Sequence, residues 1–255
     1  GVAWSAAGGP VSEAAHIEAL QAACAAAGRP LDLAGDVVPD ASLEGLIRWL
    51  SHAREHRGPV RVLHLLCRAA PLDDGRIGVT LATGPGEPAP TTVSPELLAR
   101  ALAPFADMLK MVVVTACADD PLPQSAWSLL SVGAALHGAG IGAVVASRMP
   151  LTRSGSVRSL KQLWLALLVK QSDARSCFEA AHGGLSAPED VRDQDALCLL
   201  ASEAGAQLRP LLFRPWPGLG PLGPGHTTLA GLRQDETLRL YDALHALVKG
   251  GSPRL

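Results

Sequence analysis

A cysteine follows the most strongly β-prone stretch of this sequence. Cys117 stands two residues after the run 111–115, Met-Val-Val-Val-Thr. Reactive groups of parallel sheets gather at the carboxyl ends of the strands, so this position makes Cys117 a candidate nucleophile. Free cysteines are also common as inert core residues. From position alone, both interpretations stay open.

The other four cysteines are widely separated and form no C-x-x-C pair: Cys24, Cys67, Cys177 and Cys198. They lie within apolar patterns, so we interpret them as structural thiols. An odd number of dispersed cysteines is typical of reduced thiols, and it predicts a cytoplasmic protein.

Composition and motifs exclude several kinds of function. The 22 basic residues balance 24 acidic ones without a basic run, which disfavours nucleic acid and anionic lipid as partners and favours a protein or peptide. No apolar stretch approaches the roughly 18 residues of a membrane span. No P-loop, dinucleotide fingerprint or G-x-S-x-G motif occurs. The pair His52 and His56 lacks further ligands, so we expect neither metal nor cofactor.

Short apolar runs alternate with helical patterns, which predicts an α/β fold with a mainly parallel sheet. Expected strands lie near residues 2–5, 60–67, 111–115, 141–147 and 211–213, with an antiparallel excursion at 77–81. Expected helices lie near residues 12–27, 42–56, 125–139, 157–170, 174–182 and 235–248, with one more led by Ser94 and a short one after residue 195. We expect a single domain over residues 1–255 with a flexible tail at 250–255. The opening residues look like a strand cut close to its start, as in a domain of a longer protein.

Three segments, in this order and spacing, carry a family resemblance. They are residues 63–69 (Leu-His-Leu-Leu-Cys-Arg-Ala), residues 112–117 (Val-Val-Val-Thr-Ala-Cys) and residues 143–150 (Ala-Val-Val-Ala-Ser-Arg-Met-Pro). Together with the intervening hairpin and helices, they resemble CHAT domains, the prokaryotic relatives of caspases and separases. The resemblance is clearest over residues 1–182. It implies a three-layer caspase-like fold, with helices on both faces of the sheet.

The family resemblance also implies a peptidase dyad, which this chain does not preserve. In CHAT domains a histidine and a glycine follow one central strand, and a cysteine follows the next. By position the cysteine is Cys117, whereas Arg68 replaces the histidine and Ala69 replaces the glycine that would aid an oxyanion. Beyond the cysteine, Asp119 and Asp120 depart from the usual Ser-Gly of the family.

The replacement of the histidine matters because cysteine peptidases need a group that both accepts and returns a proton. The guanidinium of Arg68 stays protonated and does neither. His64 is an alternative base, but it lies about 13 Å before Arg68 on the same strand face, which favours a structural role. Arg68 is either a solvated residue or the ion-pair partner of Asp119 or Asp120.

Residues Arg148, Met149 and Pro150 correspond to a region that helps form the substrate groove of related peptidases. With Asp119 and Asp120 they are our candidates for a substrate or partner groove, although an ordinary loop explains them equally well.

Two functions follow from this reading. The first is a degenerate CHAT domain that serves as a protein-binding or regulatory scaffold without peptidase activity. The alternative is an active or partner-activated cysteine endopeptidase with Cys117 as nucleophile. The resemblance also implies membership of a larger prokaryotic protein or complex with a regulatory or defence role.

Overall fold

Valine- and alanine-rich segments build a mixed sheet at the centre of the fold. The computed structural model describes residues 2–4, 13–83, 90–116, 128–170, 172–186, 191–202 and 205. Its strands are β1 (Val2–Trp4), β2 (Val37–Val38), β3 (Val62–Pro71), β4 (Ile77–Leu81), β5 (Thr91–Val93), β6 (Met111–Ala116), β7 (Ala143–Ser147) and β8 (Leu197–Ala201). Its α-helices are α1 (Glu13–Ala26), α2 (Leu33–Asp36), α3 (Leu43–His52), α4 (Pro95–Leu102), α5 (Leu130–Gly138), α6 (Arg153–Leu168), α7 (Ala174–Gly183) and α8 (Val191–Ala196).

The strand order is β2-β1-β3-β6-β7-β8. Strands β1, β2, β3, β6 and β7 run parallel to their neighbours in this order, and β8 joins β7 in the antiparallel sense. Strand β4 pairs with the end of β3 and with β5, both antiparallel. The predicted α/β fold with a mainly parallel sheet and an antiparallel excursion is confirmed.

Alternating side chains of the central strands enter two apolar cores. Val62 and Leu66 of β3 pack on the face covered by α1, α6 and α7. Leu63 and Leu65 pack on the other face, which α3, α4 and α5 cover. Both faces of β3 are therefore buried, as the near-continuous apolar run predicts. The result is a layer of strands between two layers of helices.

Side-chain caps set the starts of several helices. The hydroxyl of Ser42 accepts a hydrogen bond from Gly45 N (3.0 Å), and that of Ser94 accepts one from Leu97 N (3.2 Å). These bonds satisfy amide groups that a helix leaves without an intrahelical partner. The predicted start of a helix at Ser94 is thus confirmed, whereas residue 12, where the first helix was predicted to begin, lies outside the described residues.

The predicted order after α7 is wrong. A short helix was expected after residue 195, but residues 191–196 already form α8 and Leu197–Ala201 form the edge strand β8. The sequence Leu-Cys-Leu-Leu-Ala has no β-branched residue and is rich in the helix formers leucine and alanine, and pairing with β7 overrides that preference. Strand β2 was also missed, because it is only two residues long. The expected strand at residues 211–213 lies outside the described part.

The described residues all belong to one compact unit, Gly1–Leu212. The chain divides into this unit and a second one, Phe213–Leu255. The residues of the second unit lie outside the described part. The expectation of one domain over residues 1–255 therefore stays a prediction. None of the described helices is long and apolar enough to cross a bilayer.

A substitution at Gly78 tests the close packing of the antiparallel strands β4 and β5, which we call the arm. A Cβ atom at this position would lie 2.4 Å from the carbonyl oxygen of Val93. We expect Gly78→Ala to lower the free energy of unfolding by about 1–3 kcal/mol, because the backbone of β5 must move. The matched change Gly138→Ala meets no atom within 4 Å and should be neutral or stabilising. Urea unfolding of both variants measures the difference, and equal values would contradict the packing of the arm.

Candidate functional site

The ends of β3 and β6 lie side by side. Their parallel pairing runs from Val62 opposite Met111 to Cys67 opposite Ala116. Arg68 is the next residue of β3, and Ala116 is the last described residue before Cys117. The residues that precede both positions of the presumed dyad are therefore direct partners across the sheet. Cys117 itself lies outside the described residues, so its placement stays a prediction.

Arg68 does not end its strand, contrary to expectation. Strand β3 continues to Pro71, and Arg68 is the first residue that pairs with β4, opposite Thr80. Its side chain is exposed, and it forms no ion pair with another residue in the described ranges. Asp119 and Asp120 lie outside those ranges. The proposed ion pair with one of them stays a prediction.

Ala69 is part of the same antiparallel pairing. It lies opposite Val79, and its side chain is buried in the core beneath α3, α4 and α5. Among the described residues other than glycine, only Asp40 has a positive φ. Ala69 therefore has the ordinary extended backbone of a strand, and its methyl group is held by packing on one face of the sheet.

His64 is a buried member of the strand. It is 1% exposed, and a hydrogen bond of 2.9 Å joins its Nε2 to the hydroxyl oxygen of Thr115 on β6. Burial is the main cause that lowers the pKa of His64 to about 3, and charge repulsion from the nearby His16 lowers it further. The imidazole is thus neutral near pH 7 and a weak base. It ties β3 to β6 before both strands reach the presumed dyad.

The end of β6 is also bonded to β7 and to the segment after it. Ala116 N donates to the hydroxyl of Ser147 at 3.5 Å, the outer limit for such a bond. Leu151 N donates to the carbonyl oxygen of Ala116 at 2.9 Å. The loop after β7, which contains the predicted groove residues, is therefore attached to the residue immediately before Cys117.

Two of the three predicted groove residues in this loop line an open cleft. Arg148 and Met149 border a space of about 560 Å³ at the end of β7, whereas Pro150 is buried. The rest of the cleft consists of side chains from α7, α8 and β8: Phe178, Glu179, His182, Gly183, Gln194, Asp195 and Leu197. The cleft combines charges of both signs with apolar surface, as peptide-binding surfaces do.

Sequence reasoning missed these contributions from α7 and α8. Glu179 and His182 are one turn apart on α7, and their exposure is that of an ordinary solvated helix face. Gln194 and Asp195 belong to a helix of six residues that was not expected. No sequence motif distinguishes these residues. Only the antiparallel return of β8 along β7 brings α8 to the loop.

A buried carboxylate holds α8 against the loop. Asp193 is fully buried, and its two oxygens accept hydrogen bonds from the amide (3.0 Å) and the hydroxyl of Thr152. Thr152 in turn caps α6 by accepting a bond from Gly155 N at 3.0 Å. Nearby, Arg148 N donates to the carbonyl oxygen of Ala196 at 2.7 Å. One wall of the cleft is thereby fixed to the start of α6.

The family model for the CHAT domain matches residues 2–206. The chain belongs to the CHAT domain family. The match extends beyond residues 1–182, where the resemblance was clearest from sequence, and includes α8 and β8. A search of curated proteins finds no match.

The buried cysteines of this CHAT domain have the properties of inert thiols. Burial raises the pKa of Cys177 to about 12 and also raises that of Cys24. Cys67 directly precedes Arg68 in the sequence, and its side chain is buried in the core beneath α3, α4 and α5. Cys198 differs from the structural interpretation we gave it, because it is partly exposed and accepts a hydrogen bond from Arg148 Nε at 2.9 Å. It is the thiol that must be controlled for in labelling experiments.

The low pKa of His64 predicts a pH-dependent stability. The usual pKa of histidine is 6.5, so His64 becomes protonated below that pH in the unfolded chain. In the folded chain it stays neutral down to about pH 3. Stability should therefore fall as the pH falls through this window, by up to about 1.4 kcal/mol per unit from this residue. Urea unfolding from about pH 7.5 down to about pH 5 should show a shallower slope in His64→Gln than in the unchanged protein. The exposed His52→Gln should keep the original slope, and a slope unaltered by His64→Gln would contradict the prediction.

The Asp193 contact predicts a matched pair of variants. Asp193→Ala removes both acceptors of Thr152, so we expect the free energy of unfolding to drop by about 1–3 kcal/mol. The exchange of the Thr152 amide with solvent should accelerate as well. Asp195→Ala alters an exposed carboxylate two residues away and should change the unfolding free energy by less than about 0.5 kcal/mol. Equal effects of the two substitutions would show that Asp193 does not anchor the loop.

Proposed function

We propose that this CHAT domain is a protein-binding or regulatory scaffold without peptidase activity. The observation that supports the proposal is the pairing of Cys67 with Ala116, since it agrees with the family pattern in which Arg68 replaces the catalytic histidine. A permanently charged guanidinium cannot accept the thiol proton and return it to a leaving amine. The chemistry of the dyad is therefore missing even though the strands that would support it remain adjacent.

The nearest histidine on the same strand does not replace the lost base. His64 is four residues before Arg68, is shielded from solvent and is hydrogen-bonded to Thr115. A base with a pKa of about 3 holds a proton poorly at neutral pH, and it would have to leave its buried site to act. These properties support a structural role for His64.

The cleft beside Arg148 supports a binding role. Its volume of about 560 Å³ can accept side chains of an extended peptide, and Met149 and Phe178 offer apolar surface beside the charged groups. The contacts through Leu151 and Asp193 fix its wall independently of any catalysis. We therefore propose a protein or peptide as the partner, bound through the shape and charges of this cleft.

The rival hypothesis, a peptidase with Cys117 as nucleophile, needs a histidine from elsewhere. Among the described histidines, His182 lines the cleft and is exposed. It is therefore the residue of this chain to test for that role, along with a histidine supplied by a partner chain.

Labelling and cleavage assays separate the two hypotheses. We expect iodoacetamide to modify Cys117 in a Cys198→Ser background, since the positive charge of Arg68 would favour the thiolate if the two side chains are as close as the family pattern predicts. We also expect no Cys117-dependent cleavage of a broad peptide library, because loss of a positioned acid costs about 10²- to 10⁴-fold in rate. Cleavage by the purified chain that disappears in Cys117→Ala would establish the peptidase. Loss of that cleavage in His182→Ala would then identify the base.

Binding is tested with peptides selected from a displayed random library on the purified chain. Affinity should be the same for Cys117→Ala, since a scaffold uses the shape of the cleft and not the sulfur. It should fall at least about tenfold for Met149→Asp, which places an unpaired charge on apolar surface. The exposed change Leu97→Asp, on the opposite face of the sheet, is the matched control. Peptides that bind all variants equally, or no selected peptides at all, would count against the cleft.

A further inference from the structure

A small cavity lies between the sheet and α6, separate from the cleft. Four polar side chains line it, and each is at most 5% exposed: His64, Thr115, Ser156 and Ser159. The remaining wall is apolar and comes from the sheet, α6 and α7: Val113, Val145, Leu160, Leu163, Ala181 and Leu197. Most of the wall is therefore hydrocarbon, with a few polar side chains among the lining residues.

One polar atom of the cavity lacks a protein partner. His64 Nε2 bonds Thr115, but no group of the described residues lies within hydrogen-bond distance of His64 Nδ1. An imidazole nitrogen that is removed from water without a replacement partner destabilises the fold. The ring is held in place by Thr115, so it cannot turn its free nitrogen to solvent without losing the bond it has.

The volume of the cavity and its lining side chains indicate which ligand it can hold. About 10 Å³ is available to the centre of a water molecule, which is the space that one molecule needs. The lining side chains are hydroxyls, a neutral imidazole and hydrocarbon, so they match neither an anion nor a cation. A buried water needs two to four polar partners, and the four side chains can supply them.

We propose that this cavity binds a single water molecule, bonded to His64 Nδ1 and to a serine hydroxyl of α6. The water completes a polar connection through the helical layer. Ser156 is already joined to His16 of α1 by a bond of 2.8 Å, and the hydroxyl of Ser159 donates to the carbonyl oxygen of Ser156 at 3.1 Å. Strands β3 and β6 are thereby linked to α6 and α1 through hydrogen bonds as well as apolar packing. This inference is independent of the proposed scaffold role.

Nuclear magnetic resonance of the unmodified protein tests the site directly. We expect cross-relaxation between water and the ring protons of His64, with the sign of a water molecule bound for longer than about a nanosecond. The ring nitrogens should show the neutral form at pH 7. Absence of water contacts at His64, with the ring signals assigned, would overturn the proposal.

A pair of substitutions gives a second test with opposite expected signs. Ser159→Val extends apolar volume into the cavity, whereas Ser159→Ala removes the hydroxyl without filling it. If water occupies the cavity, valine displaces it and leaves His64 Nδ1 without a partner. The melting temperature should then fall further from the alanine to the valine variant than it does from Lys161→Ala to Lys161→Val, an exposed pair on α6 that measures the lower helix propensity of valine. A higher melting temperature for valine would indicate a dry cavity and overturn the proposal. If the valine variant does not fold, the cross-relaxation between water and the ring of His64 in the unmodified protein decides whether the cavity holds water.

Discussion

The parallel pairing of β3 with β6 is the constraint on which the rest of the structure depends. Both strands are buried on both faces, so their side chains must alternate between two apolar cores without a register error. A shift of one strand by one residue would turn either His64 or Thr115 toward the other core and would break their hydrogen bond. The same register brings Cys67 opposite Ala116, so the geometry of the candidate site follows from the packing of the core.

Much of the fold can be predicted from the sequence because its strongest signals are local. The valine run of β6, the capping residues Ser42 and Ser94, and the apolar run of β3 each identify an element without knowledge of the others. The failures have different causes. Strand β8 exists because it pairs with the distant strand β7, and such pairing leaves no mark in a short window of sequence. The continuation of β3 past Arg68 pairs with the neighbouring strand β4, so the hairpin was predicted but its extent was not.

The candidate site divides in the same way. The family pattern points to Cys117, Arg68 and the loop at Arg148, since these positions follow recognisable strands. The opposite wall of the cleft comes from α7 and α8, whose residues look like solvated helix surface when read in sequence. Asp193 is the clearest example, because an acidic residue in a polar stretch gives no indication that it is fully buried against Thr152.

The bond from Leu151 N to the carbonyl oxygen of Ala116 joins two functional regions through one backbone contact. On one side lies the segment that begins with Cys117, and on the other lies the loop that forms a wall of the cleft. Energetic coupling between two sites is reciprocal. A ligand that displaced this loop would therefore break the contact with Ala116, and a change at Ala116 that weakened the bond would alter ligand affinity by the same coupling free energy. One backbone hydrogen bond can in this way transmit a signal from the cleft to the end of β6.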